Sequence, residues 1–350
     1  VAGVKRFSGR AALVQRGSPS GLKQSKGFGV SGVLTAIRLV WAGVQPGQRL
    51  SILLYHQVLD TPDALKPDNP DCVEFDRQVG LLARYTNVLP LAEALQRMDA
   101  GMLPPRATAI TFDDGYADNR RNALPILQRH GVTATFFIAA GYLNGGRMFN
   151  DTLLETIRRV PAGRLDLRDL GLGQHSISDA NSRREAFRSI IREIKWQPCQ
   201  EHQAVAQAMA KRIGADLPDD LMMTDAQVRE LHRAGMGIGG HTLTHPILAQ
   251  EDEATAAHEI REGRERLQLI TGGPVDLFAY PNGKPGQDYG PRDVELVRKA
   301  GFSAAVSTSM GAGGRGQDRF QLPRFMPWSR HPAKFLAQLL RNTRHPVMTT

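Results

Sequence analysis

The chain has 350 residues, of which 41% are hydrophobic and 23% charged, a composition that excludes a wholly disordered protein, a collagen-like fibre and a small disulfide-stapled domain. Its two cysteines, Cys72 and Cys199, are far apart and define neither a disulfide framework nor a cysteine-rich zinc site. Of the net charge of +9, eight basic residues and no acidic one lie in residues 1–50, which leaves 36 basic against 35 acidic residues in the body, so there is no basic face for nucleic acid.

Residues 1–48 read as a basic, flexible arm rich in Gly, Ser, Lys and Arg. Phe28–Ile37, preceded by Lys23 and Lys26, has the length of a secretory h-region, but Gly and Ser dilute it and no convincing signal peptide emerges. No apolar run approaches the roughly 18–20 residues that span a bilayer.

From residue 49 the pattern changes. Short runs rich in β-branched or aromatic residues predict strands at Ser51–Tyr55, Thr108–Phe112, Thr133–Ile138, Gly237–Gly240, Val275–Tyr280, Ser303–Ser307 and Gln321–Phe325. Between them, Asn119–His130 reads as a helix. Thr224–Ala234 opens with Thr224 and Gln227 at capping-box spacing. Ala256, Ile260, Gly263, Leu267 and Ile270 mark one helix face, and Arg292–Ala300 ends at Gly301. Alternating strands and helices predict a parallel α/β barrel or doubly wound sheet over residues 49–345. The stretch from about 150 to 221 carries helical patterns and no convincing strand, and reads as a helical insertion.

Two motifs carry chemistry. Thr111-Phe112-Asp113-Asp114-Gly115-Tyr116 places adjacent carboxylates at the C-terminal end of a strand, where α/β active sites lie. Such carboxylates repel unless a cation lies between them or one is protonated. Taken alone, the segment could equally be an Asp-Gly turn that caps the next helix. His241-Thr242-Leu243-Thr244-His245 can converge two imidazoles on one cation if the segment is helical or tightly turned; alone, it could be a pair of surface histidines. Together they compose a two-His-one-carboxylate site, with a second carboxylate left over as a base.

These segments resemble the polysaccharide deacetylase family, the NodB homology domain of carbohydrate esterase family four. Its first two motifs, T-F-D-D-G and H-S/T-x-x-H, are matched by residues 111–115 and 241–245. The resemblance covers roughly residues 50–330 and implies a distorted (β/α)7 barrel. It also implies Asp113 as general base and Asp114, His241 and His245 as ligands of a divalent metal, Zn first, with Co, Ni or Fe compatible.

The family's third motif, R-x-P-x-G, appears as Ala279-Tyr280-Pro281-Asn282-Gly283, without its Arg; Arg324 is the candidate replacement, although it could equally serve in a surface ion pair. The backbone N–H of Asn282 corresponds to the family's oxyanion donor. No late L-x-H motif supplies the catalytic His. Leu54-Tyr55-His56 instead resembles the poly-N-acetylglucosamine deacetylase branch, which implies His56 as general acid; a strand-end His bonded to backbone is the plain alternative. Tyr280 and Trp328 are the aromatic residues expected to stack on a sugar.

The implied activity is hydrolysis of N-acetyl groups on amino sugars of a bacterial polysaccharide, in the periplasm or cell envelope, with no nucleic-acid partner and no transmembrane segment. Two rivals stand beside it: hydrolysis of another non-peptide C–N bond in a small metabolite, separable by a substrate panel, and a non-catalytic carbohydrate-binding protein, separable by metal content.

Overall fold

The computed structural model describes residues 48–195, 199–327 and 329–350. The basic arm, the segment considered as a signal and Trp328 all lie outside the described residues.

The first strand, β1 (Arg49–Tyr55), is buried along all but its first residue. It is followed by helix α1 (Cys72–Tyr85), the two-residue strand β2 (Asn87–Val88), helix α2 (Leu91–Asp99) and strand β3 (Ala107–Phe112). A π-turn at Asn119–Ala123 leads into α3 (Leu124–Arg129), and β4 (Thr135–Ile138) completes the first half of the barrel. Strands buried on both faces with helices outside them are what parallel pairing requires. The register runs Leu50↔Ala107 through Tyr55↔Phe112, then Thr111↔Thr135.

The insertion interrupts here. It contains α4 (Phe149–Arg159), β5 (Gly163–Asp166), β6 (Gln174–Ile177), α5 (Ala180–Ile194) and α6 (Cys199–Ile213). The expectation of a purely helical insertion is corrected: β5 and β6 pair antiparallel as a hairpin. Only Leu165 and Ile177 of these eight residues are buried, so no alternating pattern marks them as strands. The insertion has its own core, in which Leu153, Ile157, Ile190 and Met209 are fully buried.

The barrel resumes with α7 (Asp225–Arg233), opened by the expected Thr224–Gln227 capping box, and β7 (Gly237–Gly240). Next come α8 (Glu253–Thr271), β8 (Leu277–Ala279), α9 (Pro291–Lys299), β9 (Ala304–Val306), the two-residue β10 (Gly313–Gly314) and α10 (Pro332–Asn342). Parallel pairing continues from β4 through β7 and β8 to β9.

The seventh expected strand, Gln321–Phe325, is not a continuous strand. It makes isolated parallel bridges, Val306↔Leu322 on one side and Leu53↔Phe325 on the other. Pro323 lies between them and has no N–H to continue a ladder. These bridges nevertheless join β9 back to β1: Leu322 N donates to Ala305 O (3.0 Å), and Leu54 N to Phe325 O (3.0 Å). Seven parallel segments thus curl around a common interior, the distorted (β/α)7 arrangement with an inserted subdomain.

Period-two alternation along β3 separates core from site. Ile110 and Phe112 point outward to the helices, where Phe112 stacks on Tyr55 (5.5 Å) and Phe136 (4.9 Å), and Phe75 of α1 packs edge-on. Ala109, Thr111 and Asp113 share the opposite face, which faces the barrel interior.

Candidate metal centre and cleft

Asp113 and Asp114 leave the C-terminal end of β3 through a turn that only particular residues tolerate. Asp113 N still donates to Tyr55 O (2.9 Å), as a strand residue would. Asp114 then takes φ +78° and Gly115 φ +92°. A Cβ at Gly115 would lie 2.8 Å from Ile138 Cγ2, so glycine is required both by its φ and by the space. The turn aims the two neighbouring carboxylates differently.

Asp113 faces Arg324, which is fully buried. Both ends of the guanidinium grip the carboxylate, Nη1 on Oδ1 and Nη2 on Oδ2, each at 2.7 Å. Two of the three remaining guanidinium donors are also used: Nε donates to Ser307 O (3.0 Å) and Nη1 to Thr111 Oγ1 (3.2 Å). Burial acts to raise the Asp113 pKa, but Arg324 and then His241 outweigh it and hold the carboxyl below its usual range. Asp113 is therefore ionised and oriented at neutral pH.

Asp114 faces the two histidines. Its Oδ1 lies 3.5 Å from His241 Nε2 and 3.4 Å from His245 Nε2. Its pKa is lowered too, with burial opposed by the hydrogen bond from His241 and by the surrounding imidazoles. His241 Nδ1 lies 2.7 Å from Ala279 O, a partner that can only accept; Nδ1 therefore carries the hydrogen and Nε2 points into the site. Burial and the neighbouring His241 push His245 down to about 4, so it presents a neutral imidazole.

The segment 241–245 is not helical but tightly turned, with φ +62° at Thr242 and +58° at His245. Three hydrogen bonds to the buried Glu259 of α8 hold it: Leu243 N (3.0 Å), Thr244 N (2.7 Å) and Thr244 Oγ1 (2.7 Å) all donate to its carboxylate. One turn later in α8, a Cβ at Gly263 would come within 2.6 Å of the Thr242 carbonyl. The sequence pattern puts Gly263 on the buried face, but it missed Glu259. The available signal was an acidic residue one turn before Gly263 on that face.

Ligand atoms of Asp114, His241 and His245 all lie within 4.8 Å of one another. A carboxylate oxygen and two ring nitrogens, the His241 ring oriented by a backbone carbonyl, form a donor set that fits a divalent transition metal.

The other expected residues divide. His56, Asn282 and Arg324 line the same cleft as Asp113 and Asp114. His56 follows β1 and is half-buried; its carbonyl accepts from Asn119 Nδ2 (2.8 Å). The next two residues are held by Asp118, which accepts from Gln57 Nε2 (3.1 Å) and Val58 N (3.2 Å). Burial pushes Asp118 up to about 7. Asn282 sits at φ +56°, with its carbonyl taken by Thr308 Oγ1 (2.7 Å).

Tyr280 is a correction. It is fully buried, stacked on Tyr289 at 3.8 Å in the core, and does not line the cleft. Strand alternation turns it outward to the helices, away from the site.

The cleft measures about 680 Å³. Its walls include residues the sequence reading left out: Lys66 and Asn69 from the loop after β1, and Phe187 and Arg188 from α5. Asp151, at the start of α4, also lines it. Burial raises Asp151 to about 6, against the pull of Lys66. No local motif announces these residues, because loop and insertion meet only in the fold.

The fold and this site together define a carbohydrate-esterase type of barrel. The polysaccharide deacetylase family model matches residues 100–305, and the chain belongs to that family. The Bacillus subtilis (strain 168) protein YxkH, named as a polysaccharide deacetylase, is 19% identical over 286 residues, covering 81% of this chain and 73% of that one. Among solved structures, the fold is similar to Streptococcus pyogenes deacetylase PplD in complex with acetate (TM-score 0.55, 16% identity, 85% of this chain and 99% of that one). It is equally similar to IcaB from Ammonifex degensii (TM-score 0.55, 20% identity, 84% and 97%). Among the described residues no helix is long and apolar enough to cross a membrane.

Proposed function

We propose that this chain is a metal-dependent hydrolase that removes N-acetyl groups from amino sugars within a bacterial envelope polysaccharide. The observation that carries the reading is the division of the Asp pair. Ligand atoms of Asp114, His241 and His245 lie within 4.8 Å of one another, while Asp113 is held by Arg324. A lone ligand cluster would need no second oriented, ionised carboxylate. PplD, a deacetylase whose structure contains acetate, and the family itself fit the same product.

Asp114, His241 and His245 would hold the cation, Zn or another divalent metal, which supplies Lewis-acid chemistry to the acetyl group. Asp113 accepts a proton from water as the water oxygen bonds to the acetyl carbon. Arg324 keeps Asp113 ionised and aimed. The Asn282 N–H donates to the oxygen that becomes negative in the tetrahedral state. As the C–N bond breaks, His56 gives a proton to the departing nitrogen, because an amide anion is too poor a leaving group. Acetate and an amino sugar result.

The experiment is acetate release from a panel of N-acetylated oligosaccharides and small-molecule amides, with protein loaded with Zn, Co or Ni. Release from a glycan, lost on chelation and restored by metal, is the expected result. Release only from a small non-sugar amide would move the substrate elsewhere, and absence of stoichiometric metal would remove the mechanism. Asp113→Asn should lower kcat by about 10²–10⁴ while sparing metal content, the range for a general base.

A further inference from the structure

Besides Asp113 and Asp114, the cleft is lined by the loop after β1 and by helix α5. At about 680 Å³ it lies among pockets of about 300–1,000 Å³ that enclose a ligand of several rings. One wall of it is a seam between the insertion and residues 57–69. Lys66 Nζ donates to Gln57 Oε1 (2.9 Å) and lies 3.7 Å from Asp151 Oδ1, while Tyr116 Oη donates to the other oxygen of Asp151 (3.0 Å). Arg158 of α4 holds both oxygens of Asp63 (3.2 and 2.6 Å), and Arg184 of α5 donates to Ala64 O (2.9 Å). Three independent ties fix the loop against the insertion, so this wall is formed before any ligand arrives.

Helix α5 stands on that wall. Ala186, Ile190 and Ile194 face the insertion's own core. Arg184, Phe187 and Arg188, at positions i, i+3 and i+4, line the cleft, and Phe187 also packs against the edge of that core. Phe187 is half-buried. Arg188 is exposed and makes no hydrogen bond or ion pair among the described residues, so its guanidinium donors are unspent. A flat apolar ring beside free donors suits a pyranose, whose C–H face stacks and whose hydroxyl and carbonyl oxygens accept.

We infer that Phe187 and Arg188 form a second sugar subsite. It binds the pyranose next to the one whose acetamido group lies at Asp113 and Asp114, so the protein favours an oligomer over a single amino sugar. The inference rests on the deacetylase reading for the identity of the ligand.

The test is calorimetric binding of N-acetylated oligosaccharides of increasing length to the full chain carrying Asp113→Asn, which stops turnover. Affinity should rise about tenfold or more with length, and that rise should disappear when Phe187→Ala or Arg188→Ala is added, as alanine truncation of a contact residue predicts. Arg188→Ala, at an exposed position, guards against a fold defect. An equal rise with length in the variants, or no rise in the parent, overturns the subsite. Acetate release by the unmutated protein judges the deacetylase reading separately. Release without length-dependent binding keeps that reading and removes this one; length-dependent binding that both variants abolish, without release, does the reverse.

Discussion

The barrel and the insertion hold their cleft residues by different physics. In the barrel, the Asp pair and the two histidines are held by groups that have almost no freedom: a backbone forced to positive φ, a glycine with no room for a Cβ, a guanidinium with no solvent exposure. In the insertion, the cleft residues sit on helix faces above a small separate core, and two ion pairs tie that unit to the barrel, Arg158–Asp63 between part-exposed partners and Lys66–Asp151 at a buried carboxylate. Buried polar groups are costly to leave unpaired, whereas exposed pairs contribute little. Substitutions in the two regions should therefore differ sharply in cost, and the following tests are arranged to break that contrast.

The largest effect belongs to Arg324. Arg324→Met would leave Asp113 buried and ionised without its partner, and removal of one member of a buried pair costs about 3–5 kcal/mol. Denaturant unfolding should record that loss, and kcat should fall with it because Asp113 loses its aim. Arg324→Lys should not restore activity, since an ammonium cannot grip both oxygens at once. A stable, active Arg324→Met protein would remove the oriented-base account.

Gly263 comes next. Gly263→Ala drives a methyl into the Thr242 carbonyl at 2.6 Å and must push the His241–His245 turn or α8 apart. Overpacking of this kind costs about 1–3 kcal/mol, and metal affinity should fall in parallel because both imidazoles ride on that turn. Unchanged metal affinity would mean that the turn is not what positions the histidines.

Asp118 provides a pH test within the barrel. Its pKa is raised from an ordinary carboxylate value to about 7 by burial. Between about pH 4 and 7 the native state therefore holds a proton that the unfolded chain has released, and stability falls as pH rises. Relative to Asp118→Asn, the unmutated protein should lose on the order of 1 kcal/mol per pH unit across that window and level off above it. Unfolding curves at pH 5, 6, 7 and 8 for both proteins measure this; a difference that stays constant with pH would show that Asp118 is ionised throughout.

The residues of the candidate site were legible in the sequence because they cluster in short motifs at strand ends. Asp113 and Asp114 follow an apolar run, and two histidines follow a glycine run. Arg324 was legible only through the family resemblance, as a substitute for the Arg that the third motif lacks before Tyr280. What stayed hidden was long-range or side-specific. Glu259 acts on a turn fifteen residues earlier, and Lys66 meets Asp151 only through folding. Tyr280 was misread because proximity to a motif does not say which side of a strand faces the cleft; alternation sends it to the core. The β5–β6 hairpin was invisible for the opposite reason, having too few buried residues to alternate. The break at Pro323 could have been read from the sequence, since a proline rarely lies in a central strand.

The smallest effect is the most informative about the insertion. Arg158 bridges α4 to Asp63 in the loop after β1, with both partners part-exposed. Burial opposes the shift, yet the hydrogen bond from Arg158 holds the Asp63 carboxyl below its usual range, so the pair is charged at neutral pH. Such a pair is worth about 0–1 kcal/mol, and Arg158→Met should shift global stability by no more than that. Its consequence should instead be local. With one of three ties cut, backbone amides of residues 63–69 should exchange hydrogen faster, while those of β3 and β7 keep their protection. Faster exchange across the whole barrel would show that the insertion is integral to the barrel's stability. An unchanged loop would show that Lys66–Asp151 and Arg184–Ala64 alone suffice to hold the cleft wall.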